Sequence, residues 1–194
     1  MTSIETTRTR RFAMGVSLVL HPFVVIPLTV LVLGLRHSTT ERAGTRAVVV
    51  VAFLIAPVLA LIAMRVRSGV WSDYDVSVPG HRAPFYRQAL VVLSLGSLLI
   101  WRFMPELGGG LLAGWALVIA SMAANRYLKS SLHVAFASFC AVMLGDRPAT
   151  AAACLAAVAV LGWSRVALGR HRPVEVLSGA LLGAAAGAAV VAWP

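Results

Sequence analysis

Apolar residues run along the chain in seven blocks, near 12–35, 47–64, 88–104, 108–125, 133–145, 149–163 and 174–193. Blocks of this kind predict helices that cross a membrane, because in hydrocarbon each backbone N–H and C=O must be satisfied within its own segment. The fifth block has 13 residues, short of the ~20 that a span needs. It either borrows residues from 127 onward or fails to cross. The pattern therefore predicts an all-α, polytopic transmembrane helical bundle of six or seven spans. No long linker, repeat or low-complexity tail interrupts it, so residues 1–194 read as a single domain. The first block follows Arg8, Arg10 and Arg11. It is too long for a signal-peptide core and lacks a small-x-small cleavage site, so it reads as a retained span.

Composition agrees with the pattern. Hydrophobic residues make up 59% and charged residues 12%, with a mean hydropathy of +0.86. A soluble domain of this length cannot hide so much apolar surface, whereas a bundle exposes it to lipid. The net charge of +10 does not require nucleic acid as a partner; basic loops that meet anionic headgroups account for it. If all seven blocks cross, the loops at 1–11, 65–87, 126–132 and 164–173 share a side. They carry 12 of the 17 cationic residues, against 5 on the other side. The positive-inside rule then places those loops, and the site they carry, on the cytoplasmic face of a bacterial-type cell membrane. Of the 17 cations, 16 are Arg and one is Lys129. Arg offers a planar fork suited to phosphate, and G+C-rich coding produces the same bias. Cys140 and Cys154 lie in apolar stretches without paired spacing, so neither a disulfide nor a zinc site is expected.

Two features inside the blocks carry packing or chemistry. Gly179, Gly183 and Gly187 recur every four residues, which predicts a groove for a neighbouring helix and not a cofactor site. His21, in "LHPFVVIP", reads equally as an intramembrane functional group or as a partner for a carbonyl freed by the adjacent prolines.

Polar residues concentrate in three stretches, 71–86, 129–133 and 164–175, all in the same-side loops. In "SRVALGRHRPVE", His171 and Glu175 are four apart, and Pro173 suits the first turn of a helix. On a helix starting near Arg172 the two side chains stack. Glu175 then takes the Nδ1 proton of His171 and leaves Nε2 as a nucleophilic lone pair. Gly169 lets the chain turn back so that Arg165 faces the same point, where helix N-terminal amides also favour an anion. "NRYLKSSLH" supplies a second histidine, His133, also at a helix start. Two histidines from separate loops suit phosphoryl transfer, one attacking phosphorus and the other protonating the leaving oxygen. Arg82, Lys129 and Arg165 are the candidate cations for the phosphoryl oxygens.

Ser164–Arg165, five residues, His171, three residues and an acid resemble the third signature of the type 2 phosphatidic acid phosphatase (PAP2) superfamily, SR-x5-H-x3-D. "SSLH" at 130–133 resembles its second signature, PSGH, and Arg82 in "HRAP" resembles the arginine of its first, K-x6-RP. The resemblance covers roughly residues 65–190 and implies a PAP2-like core and a small bacterial integral-membrane lipid phosphatase that uses no metal or other cofactor. His171 would form a phosphohistidine, Glu175 would orient it and His133 would act as general acid. Arg165, Arg82 and Ser131 would bind phosphate. The chain departs from the family at several positions. Asp75 stands where the first signature has Lys, Ala83 separates Arg82 from Pro84, Ser130 and Leu132 replace Pro and Gly, and Glu175 replaces Asp. Lys129 is expected to replace the missing cation. Asp73 and Asp75 are expected to cap a helix or pair with Arg82 or Arg87.

The expected substrate is a lipid phosphate, either a prenyl or polyprenyl phosphate or diphosphate or a phosphatidate-type lipid; membrane lipids are the other expected partners. Two alternatives remain open. One is a Mg²⁺-dependent prenyl or phosphoalcohol transferase that uses Asp73 and Asp75; the other is a non-catalytic membrane protein that retains a degenerate site. Oligomeric state is not legible.

Overall fold

A computed structural model describes residues 3–76 and 78–192. Ser77 of the 71–86 stretch and position 193 of the last apolar block lie outside them. The described residues are all-helical: α1 (Ser3–Val19), α2 (Pro22–His37), α3 (Thr40–Val50), α4 (Ala56–Arg67), α5 (Pro79–Phe103), α6 (Gly108–Ala124), α7 (Leu132–Leu144), α8 (Pro148–Ala167) and α9 (Pro173–Val191). A π-helical turn, Val51–Ile55, joins α3 to α4 without a break, and a 3₁₀ turn, Pro105–Leu107, precedes α6. Proline occupies the first turn of α2, α5, α8 and α9, where its fixed φ is preorganised and its missing N–H costs nothing.

By length and hydropathy, five helices among the described residues are able to cross a membrane, or six if the bent pair α1–α2 is one span. These are the dimensions of an integral membrane protein. Two open points are decided. The first apolar block is a bent pair of helices. The chain bends by 45° between Val19 and Pro22, and His21 caps α2, with Nδ1 accepting the Phe23 N–H at 3.2 Å. The group that needed satisfying was a helix-start N–H and not a proline-freed carbonyl. The fifth block forms α7 within its expected limits, but its 13 residues reach only about 20 Å. A seventh full-length span is therefore not formed.

Short as it is, α7 organises the bundle. Val134, Ala135, Ala137, Ser138, Phe139, Cys140 and Ala141 are all buried on it. The glycine stripe of α9 lies directly on its backbone. A Cβ at Gly183 would collide with the Ala135 carbonyl, and one at Gly187 would sit 2.9 Å from the Phe139 carbonyl oxygen. This is the close approach that small residues at four-residue spacing permit. α7 and α9 run parallel, and the Ser131 N–H donates to the Glu175 carbonyl at 3.2 Å where the two helices begin. The second and third polar stretches are thereby tied together. At the other end of the bundle Arg36 pairs with Asp146 and Arg46 with Glu106, each at 3.0 Å.

Gly183→Ala should lower the thermal midpoint in detergent, at a cost of about 1–3 kcal/mol for forced repacking. Gly44→Ala, where an added Cβ meets nothing within 4 Å, should be neutral or stabilising. Equal midpoints for the two variants would contradict the close α7–α9 approach.

Candidate active site

The third polar stretch is shaped by the end of α8. The Gly169 N–H donates to the Val166 carbonyl and the Arg170 N–H to the Arg165 carbonyl, with Gly169 left-handed at φ +67°. This closing motif needs glycine there, since a side chain at such a φ costs about 1–2 kcal/mol. The turn is short enough that the His171 N–H also reaches the Arg165 carbonyl, at 3.2 Å. Arg165 and His171 thus leave the turn as neighbours. α9 starts two residues later, and Glu175 receives three donors: the Arg172 N–H, Arg172 Nε and His171 Nδ1, each at 3.1 Å. With the carboxylate ionised, Nδ1 carries the proton and Nε2 keeps its lone pair. His171 is 8% exposed and Glu175 5%. Burial, with Arg165, Arg82 and Lys129 nearby, lowers the His171 pKa to about 4 despite the hydrogen bond to Glu175. The ring is neutral near pH 7.

Arg82, His133, Arg165 and His171 line one cavity of about 130 Å³, together with His21 and Asp75. Arg165 is buried; its Nη1 donates to Ser17 Oγ at 2.8 Å and its Nη2 to Asp75 Oδ2 at 3.2 Å. Arg82, also buried, donates from Nη1 to Asn125 Oδ1 at 2.9 Å. His133 Nε2 lies 3.7 Å from Asp75 Oδ1, and its ring meets that of His21 edge-on, with centroids 4.5 Å apart. Three buried atoms here, Arg82 Nε, Arg165 Nε and His133 Nε2, have no hydrogen-bond partner among the described residues; Ser131 Oγ is also buried without one, but Ser131 does not line the cavity. Buried polar groups seldom lack partners, and two of the three at the cavity are guanidinium donors suited to an anion.

The remaining expected residues are placed differently. Lys129 Nζ donates to the Arg170 carbonyl at 2.9 Å, so it braces the third stretch and does not line the cavity. Desolvation, followed by the nearby Arg82, lowers its pKa. Asp75 pairs with Arg165 and, at 2.8 Å, with Arg170, and not with Arg82 or Arg87, while Asp73 approaches Arg170 at 3.6 Å. Asp73 also caps its own turn, accepting the Asp75 N–H at 3.0 Å. Val76, the next residue, is held at φ +47°, an unfavourable conformation for a β-branched residue. The ion pairs hold the Asp75 carboxylate at the cations.

Sequence reading missed Ser17 and Asn125, the side chains that hold the two arginines. Ser17 lies inside an apolar block and Asn125 at the end of one, and neither belongs to a recognisable spacing. His21, left undecided there, turns out to be a cap that also touches His133. His21, Asp75 and His133 each offer one ligand atom within 4.8 Å of the others, a grouping able to hold a metal ion. A cation there would compete with two guanidinium groups for the same carboxylate. No family model, curated protein or solved structure matches the chain.

The sign of the His171 shift makes a prediction about stability. The group ionises near 6.5 when unfolded and near 4 when folded, so between those values the unfolded chain binds the extra proton. Stability must fall as the pH drops through that window. Thermal midpoints in detergent from pH 7 to 4 should therefore fall more steeply for wild type than for His171→Gln. Parallel curves would refute the neutral, buried imidazole.

Proposed function

We propose that the protein is a membrane-embedded lipid phosphate phosphatase of the PAP2 type, acting on a phosphomonoester or diphosphate through a phosphohistidine. One observation carries the reading: a buried histidine whose Nδ1 meets a carboxylate at 3.1 Å opens on the same small cavity as two buried arginines and a second histidine. That constellation suits in-line phosphoryl transfer, in which positioning and charge stabilisation supply most of the catalysis.

The proposed reaction has two steps. Arg165 and Arg82 bind the phosphoryl oxygens, with their Nε donors among the groups that gain partners. His171 Nε2 attacks phosphorus while the bond from phosphorus to the lipid oxygen breaks. Glu175 holds the Nδ1 proton and stabilises the charge that develops on the ring. Burial and the nearby Arg165 keep His133 neutral at rest; beside the substrate's phosphate charge it takes up a proton and gives it from Nε2 to the departing oxygen. A water molecule then attacks phosphorus, His133 takes its proton, and the P–N bond breaks to release phosphate and regenerate His171. Lys129 acts from outside by fixing the Arg170 carbonyl.

Asp75 occupies the position of an anion, bonded to Arg165 and Arg170 beside His133. A substrate phosphate displaces it, and the two arginines exchange one anion for another. The carboxylate keeps the cations paired between turnovers at the cost of affinity. The same pairs argue against Asp73 and Asp75 as Mg²⁺ ligands of a transferase, because both carboxylates face guanidinium groups. The arginine excess at this end of the bundle supports a cytoplasmic site.

The deciding experiment is phosphate release from a panel of lipid phosphates by purified protein. EDTA should leave the rate unchanged. His171→Ala should lower it by about 10³-fold or more, in line with loss of a covalent nucleophile. Acid-labile phosphate should be trapped on wild type and not on that variant. Release that survives His171→Ala would overturn the mechanism. Asp75→Asn removes the competing charge and should tighten inhibition by inorganic phosphate about tenfold, or ~1.4 kcal/mol. An unchanged or weaker inhibition constant would exclude the displacement step.

A further inference from the structure

Three histidines line the cavity, His21, His133 and His171, and the proposed reaction uses only the last two. His21 fills the break between α1 and α2. Its Nδ1 accepts the Phe23 N–H at 3.2 Å, and its carbonyl accepts the Val24 and Val25 N–H groups at 2.8 and 3.0 Å. Pro22 has no N–H, so the amides that start α2 are all satisfied and none is left for a ligand. What this helix start offers the cavity is the imidazole. A neutral imidazole has one donor and one acceptor nitrogen. Because Nδ1 is the acceptor, the proton sits on Nε2, at the ring edge turned away from the α2 backbone. A second proton on Nδ1 would set two donors against each other and cost the cap, and the positive end of the helix dipole opposes it further. His21 is therefore a neutral donor of fixed tautomer, an arrangement in which a helix-start histidine acts as an electrophile without carrying charge. The same tautomer argues against a metal ion among His21, Asp75 and His133, since Nε2 has no lone pair and Nδ1 commits its own to the cap.

Asp75 marks where an anion sits beside this ring. Its Oδ2 takes both guanidinium groups, Arg165 Nη2 at 3.2 Å and Arg170 Nη1 at 2.8 Å, and its Oδ1 faces His133 Nε2 at 3.7 Å. A ring nitrogen of His21 lies within 4.8 Å of Asp75 and His133 ligand atoms, yet the hydrogen bonds of the His21 side chain among the described residues end at Phe23. A carboxylate is planar, and both of its oxygens are already engaged. A phosphate at the same point is tetrahedral and carries a further oxygen outside that plane. Arg165, whose buried Nε lacks a partner, lines the same cavity. We propose that His21 is a phosphate-binding residue, its Nε2–H donating to the oxygen that Asp75 lacks once the substrate has replaced the carboxylate. The proposal rests on the phosphatase reading for that displacement, and it adds a group from outside the three polar stretches. During transfer this donor stabilises charge on one phosphoryl oxygen beside those held by Arg82 and Arg165. The Phe23 N–H, by bonding to Nδ1, polarises the ring and strengthens the donor on its far edge.

Capping and donation can be separated by substitution. His21→Asn and His21→Ser keep an acceptor for the Phe23 N–H, since both are favoured caps, but their side chains fall short of the anion. His21→Ala loses the cap as well. Inorganic phosphate is the probe, read by thermal shift on the full-length protein in detergent and by inhibition of lipid phosphate hydrolysis. Without phosphate the Asn and Ser variants should melt with the wild type. Their phosphate affinity should fall about tenfold, the loss of one hydrogen bond to a charged group, and kcat should fall by at least as much. In nitrogen-15 spectra of histidine-labelled protein, with His21 assigned by its absence from His21→Asn, Nε2 should carry the proton and its resonance should move when phosphate is added. A proton on Nδ1, or no phosphate binding by wild type, would overturn the proposal. So would wild-type phosphate affinity in the Asn and Ser variants with a loss only in His21→Ala, which is the behaviour of a cap alone. Weaker phosphate binding by His21→Asn, in a protein that releases no phosphate from any lipid, would uphold the donor and refute the phosphatase reading. Release that depends on His171, with phosphate affinity unchanged in His21→Asn, would do the reverse.

Discussion

The contact on which the rest of the structure depends is the backbone-to-backbone approach of α7 and α9. Gly179, Gly183 and Gly187 remove three side chains from one face of α9, and the carbonyls of Ser131, Ala135 and Phe139 lie against that face. Helices gain little from burying apolar surface away from lipid, so close van der Waals contact between backbones is what holds them together. Because the two helices start level and run parallel, their N-terminal residues become neighbours. Ser131 and Glu175 are joined by a backbone hydrogen bond, and His133 and His171 come to face one cavity. The glycine stripe is therefore a condition for the site as well as for the fold.

Around that frame most polar groups of the site are paired. Asp75 draws Arg165 and Arg170, Asp73 adds to Arg170, and Glu175 is held by Arg172 and His171. Arg82 has a neutral partner in Asn125. Buried charge is tolerated when it is paired and hydrogen-bonded, and here nearly every cation has a partner on a different helix or loop. The loop that carries Asp75 joins α4 to α5, Arg165 ends α8 and Ser17 belongs to α1. Pairing these groups draws three parts of the chain to one end of the bundle.

Much of this was legible in the sequence, for identifiable reasons. A helical span is a local object: its backbone bonds are internal and its side chains face lipid, so hydropathy alone marks it. The boundaries of α7 and α9 were accordingly close to those expected. The His171–Glu175 pair is likewise local, since four residues on a helix bring two side chains together whatever surrounds them, and the left-handed turn at Gly169 sits in the same short stretch. The open readings lay where a local signal has two outcomes. An apolar block with two prolines looks the same whether it is straight or bent by 45°, and 13 apolar residues do not reveal whether their helix crosses or ends early.

What the sequence determined by itself was the solvent, the helical class and the internal geometry of the 164–175 stretch, because each depends on residues within a few positions of one another. Only the tertiary structure decided the partners of those residues. Ser17 reaches Arg165 across 148 positions, Asp75 across 90, and Lys129 finds the Arg170 carbonyl across 41. No periodicity encodes such distances. They are set by how closely α7 and α9 approach and by which loops that approach gathers at one end. The arginines of the third stretch, which in sequence look like a basic loop at a membrane surface, become in three dimensions a site whose anion is already supplied by the chain's own Asp75.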